Sequence, residues 1–265
     1  MSNPLDRCSS SASTDVSGLA RLASGLCAAC IGLTSFSTLA EPLNVAVASN
    51  FRPAMEVLRR DFEDHTGYSL SASYGSTGKH YAQIVNGAPF SVFLAADVER
   101  PRLLESSGSA VAGTRFTYAV GKLVLWTAGE EGMENGLLRL REGQFRFIAI
   151  ANPATAPYGH AAQQALSRLG LWEALQPQIV RGENIGQAYG FVRSGNAELG
   201  LLAWSQLRPG EDIDDSAWLV PEHLYDPIEQ QAVLLVDGEA SRAFLDFIRS
   251  DRAASVIRDH GYSVP

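Results

Sequence analysis

Four short segments of this sequence place hydroxyl, amide and glycine residues directly after apolar runs. They occupy positions 49–50 (SN), 75–78 (GSTG), 152–159 (NPATAPYG) and 181–186 (RGENIG). Each segment precedes a pattern typical of a helix, and a helix N-terminus offers unpaired backbone N–H groups and a partial positive charge. Serine, threonine and asparagine side chains add further hydrogen-bond donors. The chemistry that such segments support is the binding of a small anion.

Each of these segments also has an ordinary structural interpretation. Serine, threonine and asparagine are common N-cap residues, and glycine and proline are common in turns. Capping alone explains any one of them. Four such segments, two in each half of the chain, favour a cleft that closes on a small anion.

Strands and helices that alternate along the chain must position these segments. The apolar run at 43–48 predicts a parallel strand covered on both faces, and the segment 145–151 predicts another strand. Between them Met55, Leu58 and Phe62 recur at helical spacing. The alternation predicts an α/β fold with mostly parallel sheets. In such sheets ligands bind at the carboxyl ends of the strands, where all four segments would lie.

Two further apolar stretches, 118–129 and 230–238, follow the two sets of alternating elements. If both stretches cross between two lobes, the helix predicted at 241–250 packs back onto the first lobe. The sequence therefore predicts a discontinuous first lobe, 41–119 plus 232–265, around a second lobe, 120–231.

Residues 1–40 have the pattern of a cleavable secretory signal peptide. Arg7 and Arg21 precede or flank the apolar run LASGLCAACIGL, and the small residues STLA lead to a cleavage site that we expect after Ala40. The apolar run is too short and too rich in serine and glycine to span a bilayer comfortably. A disordered cytoplasmic tail and a lipoprotein signal ending in AAC are the alternatives.

The cysteines and the charge balance exclude several kinds of protein. All three cysteines lie in the predicted leader, so 41–265 offers no disulfide, thiolate metal site or cysteine nucleophile. The formal net charge is −8, from 21 Lys and Arg against 29 Asp and Glu. A nucleic-acid partner is therefore not expected, because phosphate binding requires a basic face. No segment after the leader resembles a transmembrane helix, so we expect a soluble mature protein.

Several catalytic motifs are missing from the sequence. GSTG lacks the longer glycine loop and the Lys-Ser/Thr ending of a P-loop, and no G-x-S-x-G nucleophile elbow occurs. The five histidines are scattered without metal-ligand spacing. Ser76, His80 and Asp97 remain a candidate hydrolase triad, which only their geometry could support.

Six segments together resemble the periplasmic molybdate-binding proteins of bacterial ABC importers, over essentially all of 43–265. They are VAVASNF, GSTGKHYAQIVNGAPFSVFLAAD, RFTYAVGKLVLW, IANPATAPYGHAA, ENIGQAYGFVRSGNAELGLLA and DPIEQQAVLL. The resemblance implies a type II periplasmic binding protein fold, with mixed, mostly parallel sheets, helices on both faces and two crossover strands as the hinge. It also implies a monomer in the periplasm that is not an enzyme and that needs no cofactor.

The ligand implied by this resemblance is molybdate or tungstate, held between the lobes by uncharged hydrogen-bond donors and without metal–protein bonds. The implied partners are an inner-membrane permease and its ATPase. Carried over by position, the segment 49–50 donates to the anion, the segment 75–78 donates through hydroxyl and backbone N–H groups, and the segments 152–159 and 181–186 donate through backbone N–H groups. The implied ligand-binding residues are Ser49, Asn50, Ser76, Thr77, Tyr158 and Ile185.

One position departs from part of the family. Some members supply a tyrosine hydroxyl from the position of Ala203, which alanine cannot do. Here Tyr158 stands where those members have a small residue, so we expect its phenol to replace that hydroxyl from the other loop.

Other tetrahedral oxyanions remain alternatives. Sulfate and molybdate are both fully deprotonated at neutral pH, so donors alone do not separate them and cavity size must. Hydrogen phosphate carries a proton that would require a carboxylate acceptor, and Glu183 is the carboxylate nearest in sequence to the implied residues.

Overall fold

The computed structural model describes residues 41–129, 133, 136–207 and 216–265, which belong to one compact unit. The predicted signal peptide, 1–40, lies outside the described residues. In chain order the strands are β1 (Leu43–Ala48), β2 (Leu70–Gly75), β3 (Val92–Leu94), β4 (Phe116–Gly121), β5 (Leu123–Trp126), β6 (Ile148–Ala151), β7 (Ile179–Gly182), β8 (Leu199–Ala203), β9 (Ala217–Leu219) and β10 (Ile228–Leu234). The α-helices are α1 (Arg52–Thr66), α2 (Thr77–Val85), α3 (Glu99–Ser106), α4 (Gly136–Glu142), α5 (Pro157–Arg168), α6 (Trp172–Leu175), α7 (Ile185–Arg193), α8 (Glu239–Arg249) and α9 (Asp251–Asp259).

The strands form two sheets with the same plan. The first has the order β2-β1-β3-β10-β4, and the second has the order β7-β6-β8-β5-β9. In each sheet the fourth strand, β10 or β5, is antiparallel to both of its neighbours, and the others share one direction. The predicted two-lobed α/β architecture with mixed, mostly parallel sheets is confirmed. We call the parts around these sheets the first lobe and the second lobe.

Local sequence explains the elements that carry the site. β1 is almost entirely buried, as its unbroken apolar run predicts. α1 has Pro53 in its first turn, buries Met55, Leu58 and Phe62, and ends at Gly67 with φ 74°, a left-handed conformation that glycine adopts easily. α5 begins at Pro157, because proline suits the first helical position.

The chain passes between the sheets at two places. β4 belongs to the first sheet and β5 to the second, and Lys122 alone separates them. The return lies between Leu219 and Ile228, before the predicted stretch 230–238, because Ile228 already pairs with Gly121 in the first sheet. The crossing strands β4 and β10 are therefore antiparallel neighbours. The predicted lobe limits, 41–119 plus 232–265 and 120–231, stay a prediction.

The helices cover both sheets. Phe244, Leu245 and Ile248 of α8 belong to the same buried apolar cluster as Val45 and other residues of the first sheet. The helix predicted at 241–250 thus packs on the first lobe, as expected. Within the described ranges, no helix is both long and apolar enough to cross a bilayer.

Candidate functional site

The strand ends of the two lobes meet around one small cavity. Its lining comes from the residues that follow β1 and β2 in the first lobe and from the starts of α5 and α7 in the second. The cavity has a volume of about 10 Å³, far below the roughly 300–1,000 Å³ of pockets for drug-sized ligands. It therefore suits a small ion. The lining residues are Ala48, Ser49, Asn50, Gly75, Ser76, Thr77, Ala96, Ala156, Pro157, Tyr158 and Ile185.

All six residues that the sequence implicates are in this lining, and none of the lining residues carries a charge. Five of these six residues have polar side chains, and Ile185 is the exception. The other five lining residues are alanine, glycine or proline. The wall is thus neutral and offers an ion only hydrogen bonds and backbone dipoles.

Ser76 and Thr77 are buried where β2 leads into α2. Ser76 is the N-cap, and its Oγ accepts a long hydrogen bond of 3.4 Å from the backbone N–H of Lys79. Thr77 Oγ1 accepts from the backbone N–H of Ala96 at 3.0 Å. Each oxygen accepts from an N–H group and neither hydroxyl donates to another described residue, so each retains its own hydrogen as a donor.

Ser49 faces the start of α7 across the cleft. Its Oγ accepts from the backbone N–H of Gly186 at 3.3 Å, so its hydrogen also remains a donor. Asn184 caps α7 by accepting from the Gln187 N–H at 3.1 Å. Ile185 is the first helical residue, a position whose N–H has no partner within the helix. That N–H is available to a ligand.

Tyr158 lies in the first turn of α5 and is buried. Its Oη accepts a long hydrogen bond of 3.4 Å from Nε2 of Gln230. Its hydroxyl hydrogen has no acceptor among the described residues, which makes the phenol a fourth donor of the same kind. Burial raises the pKa of Tyr158 well above its ordinary value, so the phenol keeps its hydrogen at physiological pH.

Asn50 lies at the same wall, but its side-chain amide is used within the protein. Nδ2 donates to Oε1 of Gln230 at 2.8 Å and to Oη of Tyr262 at 2.9 Å. The backbone carbonyl of Asn50 accepts from Tyr262 and from Ser205, both at 3.0 Å. The backbone N–H of Asn50, in the helical turn that leads into α1, is the donor left for a ligand.

Contacts between the lobes surround the cavity. The backbone N–H of Gly78 donates to the Thr155 carbonyl at 2.8 Å, and a Cβ on Gly78 would lie 2.9 Å from that oxygen. Lys79 and Glu183 form an ion pair of 2.5 Å across the cleft. Both of these side chains are largely exposed, so the pair contributes little stability. The close backbone approach at Gly78 is what requires glycine.

Ser76, His80 and Asp97 do not form a hydrogen-bonded triad. The two ring nitrogens of His80 face the Val47 carbonyl at 3.2 Å and Oε1 of Gln83 at 3.1 Å. Burial lowers the pKa of His80. Asp97 instead pairs with Arg100. The geometry does not support the hydrolase alternative. Within the described ranges, no group of three or more His, Cys, Asp or Glu side chains could hold a metal ion.

The geometry can be set beside known proteins. The model of the family described as bacterial extracellular solute-binding protein matches residues 43–263. The chain belongs to this family.

Relatives within the solute-binding proteins have names that specify a ligand. The chain is 46% identical over 237 residues to the molybdate-binding protein ModA of Azotobacter vinelandii, covering 88% of this chain and 94% of the relative. It is 43% identical over 220 residues to the molybdate-binding protein ModA of Rhodobacter capsulatus, covering 82% and 86%. A solved structure of the Azotobacter vinelandii periplasmic molybdate-binding protein superposes with a TM-score of 0.80, at 41% identity, and covers 84% of this chain and 99% of that chain.

This solute-binding protein also contains polar residues near the site that the sequence did not single out. Gln230, Tyr262 and Tyr118 lie beneath the cavity wall and are buried. The sequence held a signal for Gln230, since the strand IEQQAVL places two glutamines directly before the apolar residues AVL. Tyr262 gave no comparable signal, because its contact with Asn50 joins residues 212 positions apart. Ala203 is buried at the end of β8 and is not among the lining residues.

Proposed function

We propose that this chain binds molybdate, and tungstate by the same chemistry, in the cavity between the lobes. One observation carries the proposal. Four hydroxyl groups of the lining each accept a hydrogen bond from a protein N–H group, and none of them donates to another described residue, so each has its hydrogen left for an anion. They belong to Ser49, Ser76, Thr77 and Tyr158.

Backbone donors complete the proposed set. Asn50 and Ile185 contribute N–H groups from the starts of helical segments, where the partial positive charge favours an anion. A hydrogen bond to a charged group is worth roughly 1.5–3 kcal/mol net. Several of them can offset the desolvation of a dianion without a counter-ion, which agrees with the neutral lining.

The same donors define the class of anion. Molybdate, tungstate and sulfate carry no proton at neutral pH and can accept from every donor. Hydrogen phosphate must also donate, and the lining contains no carboxylate. Glu183, the nearest carboxylate in sequence, is paired with Lys79. We therefore expect hydrogen phosphate to bind poorly, and cavity size to decide between molybdate and sulfate.

The names of the relatives support the ligand and the setting. Two relatives above 40% identity are named molybdate-binding proteins, and the similar solved structure is named periplasmic. We infer that 1–40 directs this chain to the periplasm, where it acts as a monomer without a cofactor or catalytic activity. It would deliver the anion to an inner-membrane permease driven by an ATPase.

Thermal unfolding of ligand-free protein with molybdate, tungstate, sulfate or phosphate, each in a separate sample, tests the proposal. A ligand present at 100 times its Kd adds roughly 2.7 kcal/mol to the free energy of unfolding. We expect a clear rise of the Tm with molybdate and tungstate and none with phosphate.

Other patterns of Tm change would lead to different conclusions about the ligand. A rise with sulfate or phosphate alone would replace the ligand but keep an oxyanion site. Unchanged unfolding with all four anions would contradict the proposal.

A further inference from the structure

Gln230 lies at the centre of a buried polar cluster beneath the cavity wall. We define the hinge polar cluster as the side chains of Asn50, Tyr118, Tyr158, Gln230 and Tyr262, each at most 5% exposed. Gln230 is on β10, one of the two crossing strands, and is completely buried. The cluster therefore joins the first lobe, the crossing strands and Tyr158 of the second lobe.

The hydrogen-bond directions in this cluster follow from one backbone carbonyl. A carbonyl oxygen only accepts, so Tyr262 must donate its hydrogen to the Asn50 carbonyl, 3.0 Å away. The oxygen of Tyr262 then accepts from Nδ2 of Asn50, and this fixes which end of that amide faces the cluster. The second hydrogen of Nδ2 goes to Oε1 of Gln230 at 2.8 Å.

The orientation of Asn50 in turn determines that of Gln230. Because Oε1 of Gln230 accepts from Asn50, and lies 3.2 Å from the Tyr118 hydroxyl, its Nε2 must point the other way. Nε2 lies 3.4 Å from Oη of Tyr158 and donates to it. A phenol has one hydrogen, which remains for a group in the cavity.

Close packing holds this pair in place. Gly121 ends β4 directly beside it, and a Cβ at that position would lie 2.0 Å from Oη of Tyr158 and 2.8 Å from Nε2 of Gln230. Any larger residue would displace the phenol or the amide. The bare backbone at Gly121 thus leaves space for the contact between the amide and the phenol.

We propose that Gln230 is a positioning residue that commits the Tyr158 hydroxyl hydrogen to the bound oxyanion and so disfavours anions that carry a proton. The proposal rests on the proposed function of the cavity. With Gln230 in place, the Tyr158 oxygen is occupied by an N–H donor and does not accept from hydrogen phosphate. Without it, the phenol can rotate and accept.

A double-mutant cycle with molybdate and phosphate, measured by titration calorimetry, tests this role. Gln230→Met removes the donor at similar volume, and we expect roughly tenfold weaker molybdate binding. Tyr158→Phe should weaken it by roughly ten- to a hundredfold. Because Gln230 is proposed to act through the Tyr158 hydroxyl, which Tyr158→Phe has already removed, Gln230→Met should have little further effect in the Tyr158→Phe protein. In the protein that retains Tyr158, Gln230→Met should also lower the ratio of molybdate affinity to phosphate affinity.

Gln231→Met is the matched control. Gln231 is the next residue of β10 and bonds to Arg115 and Thr117, away from the cluster. We expect a lower Tm but unchanged affinity and selectivity. Additive losses in the cycle, or an unchanged affinity ratio, would overturn the role of Gln230. Absence of oxyanion binding in the wild-type protein would instead overturn the proposed function.

A second measurement does not depend on whether the Gln230 variants fold. Molybdate should produce a tyrosine ultraviolet difference spectrum in the wild-type protein that is absent from Tyr158→Phe, because the phenol donates to the anion. Identical spectra in the two proteins would overturn the proposal.

Discussion

The two lobes share a sheet plan but supply different donors to the cavity. The first lobe contributes three side-chain hydroxyls, whereas the second contributes one phenol and the start of a helix. Ser76 and Thr77 are held by N–H groups of their own lobe. Ser49 and Tyr158 are held by groups across the cleft, since Gly186 is in the second lobe and Gln230 is in the first sheet.

This difference shows that two lobes with the same fold can orient their donors in different ways. The donors of Ser76 and Thr77 are oriented whether or not the lobes touch. The donors of Ser49 and Tyr158 are oriented only when they do. An anion would therefore meet two preformed hydroxyls in the first lobe, and contact with the second lobe would add the others. Substitutions at matched positions of the two lobes test this comparison.

The largest effect is expected from Asn50→Asp, with Asn152→Asp as its counterpart in the second lobe. Both asparagines lie within two residues of the end of a buried strand, but Asn50 is 1% exposed at the cavity, whereas Asn152 accepts from the Ala154 N–H and is not in the lining. Asn50→Asp sets a buried charge against a dianion and removes two donated hydrogen bonds. We expect roughly 100-fold or greater loss of molybdate affinity at pH 8.

Titration calorimetry at pH 8 and pH 6 measures both variants. Burial raises the pKa of a new carboxyl, so Asn50→Asp should recover part of its affinity at pH 6, where a larger fraction of the carboxyl is protonated than at pH 8. Asn152→Asp should remain near the wild-type affinity at both pH values. Wild-type affinity of Asn50→Asp at pH 8 would place the site elsewhere.

A smaller effect, with opposite signs for stability and affinity, is expected from Gly78→Ala. Alanine favours the helical conformation of α2 by up to about 1 kcal/mol, so the ligand-free protein should be slightly more stable. Its Cβ would lie 2.9 Å from the Thr155 carbonyl oxygen, so contact between the lobes would be impeded. We expect roughly tenfold weaker molybdate binding, measured together with the Tm.

Gly190→Ala in α7 is the control, because a Cβ there meets no atom within 4 Å. It should gain the same stability and keep its affinity. Equal affinities for the two variants would show that the approach at Gly78 does not limit binding.

The smallest effect is expected from Thr155→Val. Thr155 Oγ1 is buried without a hydrogen-bond partner, and an unsatisfied buried hydroxyl costs roughly 1–3 kcal/mol. Removing it should leave molybdate affinity unchanged or raise it by a few fold. In the first lobe Thr77→Val should weaken binding, because that hydroxyl is a proposed donor. A tenfold loss in Thr155→Val would show that its hydroxyl contacts the anion.

Local patterns predicted the α/β alternation and the four segments that meet at the cavity, whereas the six individual site residues were implied by the resemblance to molybdate-binding proteins. Ser49 and Ser76 each follow a strand within a few positions, so their placement at a sheet edge depends only on local structure. The partners of those residues were beyond such reasoning. Asn50 contacts Gln230 across 180 positions and Tyr262 across 212, and no periodicity encodes which distant strand will lie beside a loop.

The points at which the chain passes between the two sheets were also not predictable from local sequence. The apolar stretch 118–129 reads as one segment, yet it contributes strands to both sheets. A lysine between two apolar strands gives no sign that the chain changes sheets there. Only the pairing of Gly121 with Ile228 and of Leu123 with Ala203 defines that point.

The single residue between β4 and β5 has an entropic consequence for ligand capture. Lys122 contributes only two soft backbone dihedral angles to the link, so the sheets cannot separate freely at this crossing. Ordering one residue costs roughly 1–2 kcal/mol at 25 °C, far less than ordering a long flexible linker. Less of the favourable free energy of the hydrogen bonds to the anion is then offset by ordering the link between the sheets.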